Sequence, residues 1–309
     1  MANKSKPQAW IEYAVVRTLL GTLRVLPMKA AIFVGVTIGS LTYHALGKLR
    51  RVGMRNLELA FPEKTEGERA EILKGAFRNL GRVMTVTSWF DGLDPDKVTD
   101  LIEYAPDPTF SERYEETRRA GRGRIILGGH IGNWELQAFF YPFFFEPLSF
   151  LARRMDNPLI EAYVRRIRTR LGNRQIDKEN SASAILRVLR HGGAVGVLAD
   201  VNSHPKEGVF VPFFGIPACT ASGVAMLAIR ANAVIVPMWA MWDEKKGKYK
   251  FVHDDIIEPV NSGDRASDVE ATTALYVAAT ERVIRAYPDQ WVWIHRRWKT
   301  RPPGEKELY

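Results

Sequence analysis

Arg124-Ile-Ile-Leu-Gly-Gly-His-Ile-Gly-Asn-Trp-Glu135 joins an apolar run to a glycine turn, and the aromatic run Leu136 to Phe145 follows directly. The order reads as strand, turn, helix, the repeating unit of an α/β fold. His130 and Glu135 are the two residues here that can move or hold a proton. On one continuous helix, positions i and i+5 point about 140° apart, so the pair converges only if the glycines place His130 in a loop and Glu135 in the first helical turn. An imidazole accepts a proton near neutral pH, a carboxylate can orient it, and the N–H groups of a first helical turn suit an oxyanion. An isolated H-x4-E pattern also fits an ordinary loop histidine followed by a favourable first-turn acid.

Outward from this stretch the alternation continues. Arg124 to Gly128, Ser149 to Arg153, Ala194 to Asp200, Val209 to Phe214, Val234 to Trp242 and Tyr249 to His253 read as strands. Pro158 to Leu171, Ser181 to His191, Ser222 to Ala231 and Ala266 to Tyr287 read as helices. Short apolar strands with intervening helices predict a mixed, largely parallel sheet covered by helices. Functional loops then gather at the carboxyl ends of strands, where His130 and Asp200 fall. Phe139, Phe140, Tyr141, Phe143, Phe144 and Phe145 follow the turn, and at least one of them is expected to line an apolar pocket beside His130.

The N-terminal sixty residues differ in character. They carry nine Lys/Arg against Glu12 and Glu58, a net +7 of the chain's +9. Trp10 to Leu26 reads as an amphipathic interfacial helix ended by Pro27. Ala30 to Gly47 has no formal charge but holds three glycines, and at eighteen residues it is at the short edge for a spanning helix. The expected division is therefore 1–60, membrane-associated helices, and 61–309, an α/β domain. Basic residues beside apolar segments suit an anionic membrane surface. No nucleic-acid module accompanies them, so no nucleic-acid partner is expected. Two further helices, Arg51 to Pro62 and Glu66 to Phe90, are assigned to scaffold.

Hydrophobic residues make up 46% and charged residues 26% of the 309, a globular balance. The single Cys219 excludes an internal disulfide or a cysteine metal cluster and reads as a small buried residue. There is no G-x-S-x-G elbow, no H-E-x-x-H and no P-loop, so the serine esterase, zincin and nucleotide hydrolase classes lack their central residues. No metal and no bound cofactor is expected.

Four blocks resemble the bacterial lipid A late acyltransferases, within the lysophospholipid acyltransferase superfamily marked by H-x4-[D/E]. They are Gly128 to Glu135; Arg153-Arg-Met-Asp-Asn157-Pro with Arg168 beyond; Asp200 with the later V-F-V-P-F-F-G-I-P-A-C-T of residues 209–220; and Pro288-Asp-Gln-Trp-Val-Trp-Ile-His-Arg-Arg-Trp-Lys-Thr-Arg-Pro302. With Asn56-Leu-Glu-Leu-Ala-Phe-Pro62 and Phe77-Arg-Asn-Leu-Gly-Arg82, which also resemble the family, the match spans about 250 residues, much more specific than H-x4-E alone. The resemblance implies that His130 is the base and Glu135 its orienter, that Gly129, Asn133 and Trp134 support them, and that Arg153, Asn157, Arg168 and Asp200 contact substrate. It also implies an acyl thioester donor on acyl carrier protein or coenzyme A and a glycolipid hydroxyl acceptor, at the cytoplasmic face of the inner membrane. Val201 stands where family members often have Gln, so a contact from that position is not carried over. Arg165, Arg166 and Arg170 read as a solvated helix face. His295 is a weaker candidate base, and the Trp and Arg/Lys of the last block suit an interface with headgroups. The same chemistry on a lysophospholipid or a mannosylated phosphatidylinositol is the related alternative, and a basic membrane or nucleic-acid binder the non-enzyme one.

Overall fold

The computed structural model describes residues 5–92, 98–152, 155–177 and 181–309. Four helices come first: α1 (Lys6–Val25), α2 (Met28–Ala45), α3 (Gly47–Ala60) and α4 (Glu66–Thr87). After the short α5 (Val98–Leu101) and β1 (Ile102–Glu103), the chain alternates: α6 (Pro108–Arg119), β2 (Arg124–Gly128), α7 (Trp134–Phe144), β3 (Leu148–Ala152), α8 (Pro158–Thr169), β4 (Arg174–Asp177), α9 (Ser181–Arg190) and β5 (Ala194–Leu198). A hairpin of β6 (Gly208–Phe213) and β7 (Ile216–Ala221) follows, then α10 (Gly223–Ala231), β8 (Val234–Asp243), β9 (Lys248–His253) and α11 (Arg265–Ala286).

Seven strands form one sheet in the order β1-β9-β8-β2-β5-β3-β4. The run from β8 to β4 is parallel, and β9 turns back antiparallel on β8. The fold is thus α/β, with a mostly parallel mixed sheet covered by helices, as the alternation predicts. β2 occupies its centre and is buried on both faces. Ile125 and Leu127 join one core with α3, α4, α9, α10 and α11, while Ile126 joins the other with α6, α7 and α8. That is the period-2 alternation of a strand sandwiched between two layers.

The glycines of α2 have a physical reason other than a break in a membrane hairpin. Gly35 and Gly39 are buried against α4, where a Cβ on either would overlap backbone of Gly81 or Phe77. α2 therefore lies against a scaffold helix at backbone contact. α2 and α3 meet at 90°, and among the described residues no single helix is long and apolar enough to cross a membrane.

The turn after β2 depends on Gly132. Its φ is +59°, and a Cβ there would overlap the carbonyl oxygen of Ala240. Gly132→Ala combines a left-handed backbone with overpacking, and is expected to cost roughly 3 kcal/mol, read as a lowered midpoint in denaturant titration.

Candidate active site

His130 sits two residues past the end of β2, and Asp200 two residues past the end of β5. These strands are parallel neighbours with Gly128 opposite Leu198, so both side chains emerge at the same height. His130 Nδ1 lies 2.9 Å from Asp200 Oδ1, and the His130 backbone N–H donates to Asp200 Oδ2 at 2.6 Å. Trp291 Nε1 donates to Oδ2 as well, at 2.8 Å. Asp200 is almost wholly buried, and Gly129 is what lets it come so close, since a Cβ on Gly129 would stand 3.1 Å from the carboxylate carbon.

A carboxylate accepts only, so Nδ1 carries the proton and Nε2 is the lone-pair nitrogen. Burial works against a charge on His130, but the hydrogen bond and negative charge of Asp200, with the charge of Glu135 added, outweigh it and raise the imidazole above its ordinary value. Burial alone would raise Asp200; the His130 and Trp291 hydrogen bonds reverse this and hold its carboxyl below the usual range.

Among the described contacts Glu135 makes no hydrogen bond to His130. Its two oxygens take the Nε and Nη2 groups of Arg168 from α8, the first at 2.9 Å. The partner expected of Glu135 is instead Asp200, which reaches His130 across the β2–β5 register. Arg168 lines the same groove as His130.

The remaining expected residues divide. Asn133 caps α7, accepting from Leu136 N–H at 2.9 Å, and its own N–H donates to Ala240. The Trp134 ring stands 5.3 Å from the His130 ring in an edge arrangement. Asn157 is buried. Its oxygen caps α8 at Leu159 and Ile160, and its nitrogen donates to Ala9 and Glu12 of α1 at 2.9 Å. Its place is a joint between α1 and α8, where a substrate contact was expected. Asp200 is likewise covered by His130. Arg153 lies outside the described residues.

His295 Nε2 accepts the backbone N–H of Asn202 at 3.1 Å, and burial lowers its affinity for a proton. That nitrogen is spent on structure. Trp291, Trp293 and Trp298, expected at an interface, are buried. The segment around them clamps the turn that carries His130, with Gly132 N–H donating to Gln290 at 3.0 Å and Val292 N–H to His130 at 3.0 Å. The Trp291 contact with Asp200 went unseen in the sequence, since nothing in the tryptophan's neighbours marks which carboxylate it meets.

Beside His130 a groove of about 260 Å³ opens on the α7 and α8 side of the sheet. Glu135 and Arg168 stand with His130 at its head, and Ile126, Ala138, Leu148 and Gly196 line its lower part. Ile126 is four residues back from His130, at most about 13 Å of extended chain. None of the six aromatics from Phe139 to Phe145 lines this groove. Phe139, Phe140 and Tyr141 point into the core, because α7 turns the face carrying Ala138 toward the groove.

A family model of bacterial lipid A biosynthesis acyltransferases matches residues 2–300. The chain belongs to that family. It is an acyltransferase of lipid A biosynthesis, and the resemblance carried by the four sequence blocks holds over nearly its whole length. It is 28% identical to the lipid A biosynthesis lauroyltransferase of Escherichia coli K12 over 98% of this chain and 96% of that one. The palmitoleoyltransferase of the same organism is 27% identical over 92% and 90%, and the myristoyltransferase 24% over 85% and 80%. Three relatives named for three acyl chains match at similar identity, so similarity alone does not assign the chain length to this family member.

Proposed function

We propose that the protein transfers a fatty acyl group from a thioester, on acyl carrier protein or coenzyme A, to a hydroxyl of a lipid A precursor at the cytoplasmic face of the inner membrane. The observation that carries this reading is the His130–Asp200 pair at the head of an apolar groove. His130 Nε2 takes the proton of the acceptor hydroxyl as its oxygen attacks the thioester carbonyl, and returns it to the departing thiolate. Asp200 fixes the tautomer and balances the imidazolium. Glu135 adds negative charge near the imidazolium and holds Arg168, whose remaining N–H groups suit a phosphate of the acceptor. The first turn of α7 offers Trp134 and Glu135 N–H groups to the oxyanion, the Leu136 and Gln137 groups being taken by Asn133. Residues 1–60 serve as the membrane-associated part; α1 turns Ile11, Val15 and Leu19 outward.

The test is incubation of the purified protein with lauroyl, myristoyl and palmitoleoyl thioesters and a lipid A precursor, read by mass spectrometry. A precursor heavier by one acyl group is expected. Acylation of a lysophospholipid or a mannosylated phosphatidylinositol in its place would reassign the acceptor. Donor length is set by the lower groove on this reading. Ala138→Leu should shift the ratio of kcat/KM between short and long donors about tenfold toward the shorter, and Leu148→Ala should shift it the other way, in a competition assay.

A further inference from the structure

Arg166 and Arg168 are two residues apart on α8, so their side chains leave the helix on opposite sides. Arg168 faces the groove. Arg166 faces a second cluster, built on the short turn Phe90–Gly92.

Asp91 is the centre of this cluster. Arg166 holds its Oδ1 at 2.7 Å, while Arg17 and Arg24 of α1 approach Oδ2 at 3.3 and 3.9 Å. Seven residues separate Arg17 from Arg24, nearly two helical turns, which puts both on one stripe. Arg170 donates to the Phe90 carbonyl at 2.9 Å. Gly92 is part of the construction, since a Cβ there would overlap the Arg24 guanidinium. The Tyr163 ring lies 4.4 Å from the Arg17 guanidinium carbon and 5.5 Å from that of Arg166, which braces both.

Among the described residues, three guanidinium groups share this one carboxylate. The Asp91 side chain is 15% exposed, whereas those of Arg17, Arg24 and Arg166 are 40%, 48% and 63% exposed. The acid is the floor and the guanidiniums stand above it, each with most of its five N–H donors unused by Asp91. Planar N–H forks around a fixed point match the oxygens of a phosphate.

We infer that Arg17, Arg24 and Arg166 form a binding site for the phosphate of a membrane lipid headgroup, with Asp91 setting their spacing. The lipid source follows from α1, which supplies two of the three arginines and also leaves Ile11 and Val15 largely exposed. A free ion would need no such apolar face. The site lies across α8 from His130 and stands whether or not the acyl-transfer mechanism does.

The test is sedimentation of the full chain with zwitterionic vesicles carrying either a phosphomonoester lipid or a carboxylate lipid at equal surface charge. Wild type should bind the phosphate vesicles about tenfold more tightly. Arg17→Gln with Arg24→Gln should abolish that ratio, and so should Arg166→Gln alone, whose side chain is on a different helix and exposed. Asp91→Asn should keep it. Lys48→Gln with Arg51→Gln, an equal charge loss on α3, should weaken both bindings and leave the ratio intact. Equal binding by wild type, or a ratio that survives the arginine changes, would overturn the site. Release from the vesicles by low concentrations of inorganic phosphate would make the free ion the ligand and overturn the lipid assignment.

Discussion

Replacing His130 with alanine is expected to lower kcat by about 10²–10⁴-fold, the contribution of one positioned base. No other described side chain can take over. His295 has its Nε2 committed to Asn202, and Glu135 has both oxygens committed to Arg168. The change also strips a donor from Asp200, a buried carboxylate, so part of the loss could come from instability. His130→Asn separates the two effects. Its amide nitrogen can still donate toward Asp200 but cannot act as a base, so thermal stability should return toward wild type while turnover stays low. Turnover near wild type in either variant, measured with a thioester donor under saturating acceptor, would remove the base assignment.

Asp200→Asn should cost roughly 10³–10⁴ in turnover with the fold retained. Oδ2 accepts two fixed donors, the His130 backbone N–H and the Trp291 indole. An asparagine keeps those bonds only by putting its oxygen there, which turns its NH2 toward His130 Nδ1. Nδ1 must then accept, the proton moves to Nε2, and the nitrogen facing the groove loses its lone pair. The pH profile adds a second readout. A base works unprotonated, so wild-type activity should rise with pH through the imidazole's pKa, which Asp200 holds above the ordinary value against the effect of burial. In the asparagine variant that acid limb should move to lower pH. A limb that stays in place would mean that another group titrates.

The sheet was readable from Arg124–Gly128 and the other short apolar runs because they are bounded by turn residues and separated by segments of helical period. β4, Arg174–Asp177, escaped notice, its one apolar residue, Ile176, giving no pattern. The placing of His130 in a loop after the strand was legible from the glycine turn. Its partner was not, since i to i+5 spacing suggests a local acid, whereas Asp200 is delivered by the pairing of β2 with β5, and strand order is not written in either strand. Asn157 was misread for a related reason. An Asn-Pro pair at a helix start satisfies a cap, and only the docking of α1 shows where its nitrogen goes. Arg166 is as exposed as a solvated face requires, and its contact with Asp91, 75 residues away in the chain, has no signal in the sequence.

The clamp of residues 290–292 on the glycine turn bears on how the protein is made. The turn that carries His130 and the strand end that carries Asp200 leave the ribosome well before Trp291, which closes on Asp200 from 91 residues further along. Chains grow from the N-terminus, so of the three hydrogen bonds to Asp200 the Trp291 indole's is the last whose partner is synthesised. The hydrogen bonding around Asp200 is therefore complete only once residues 290–292 have crossed back over the sheet.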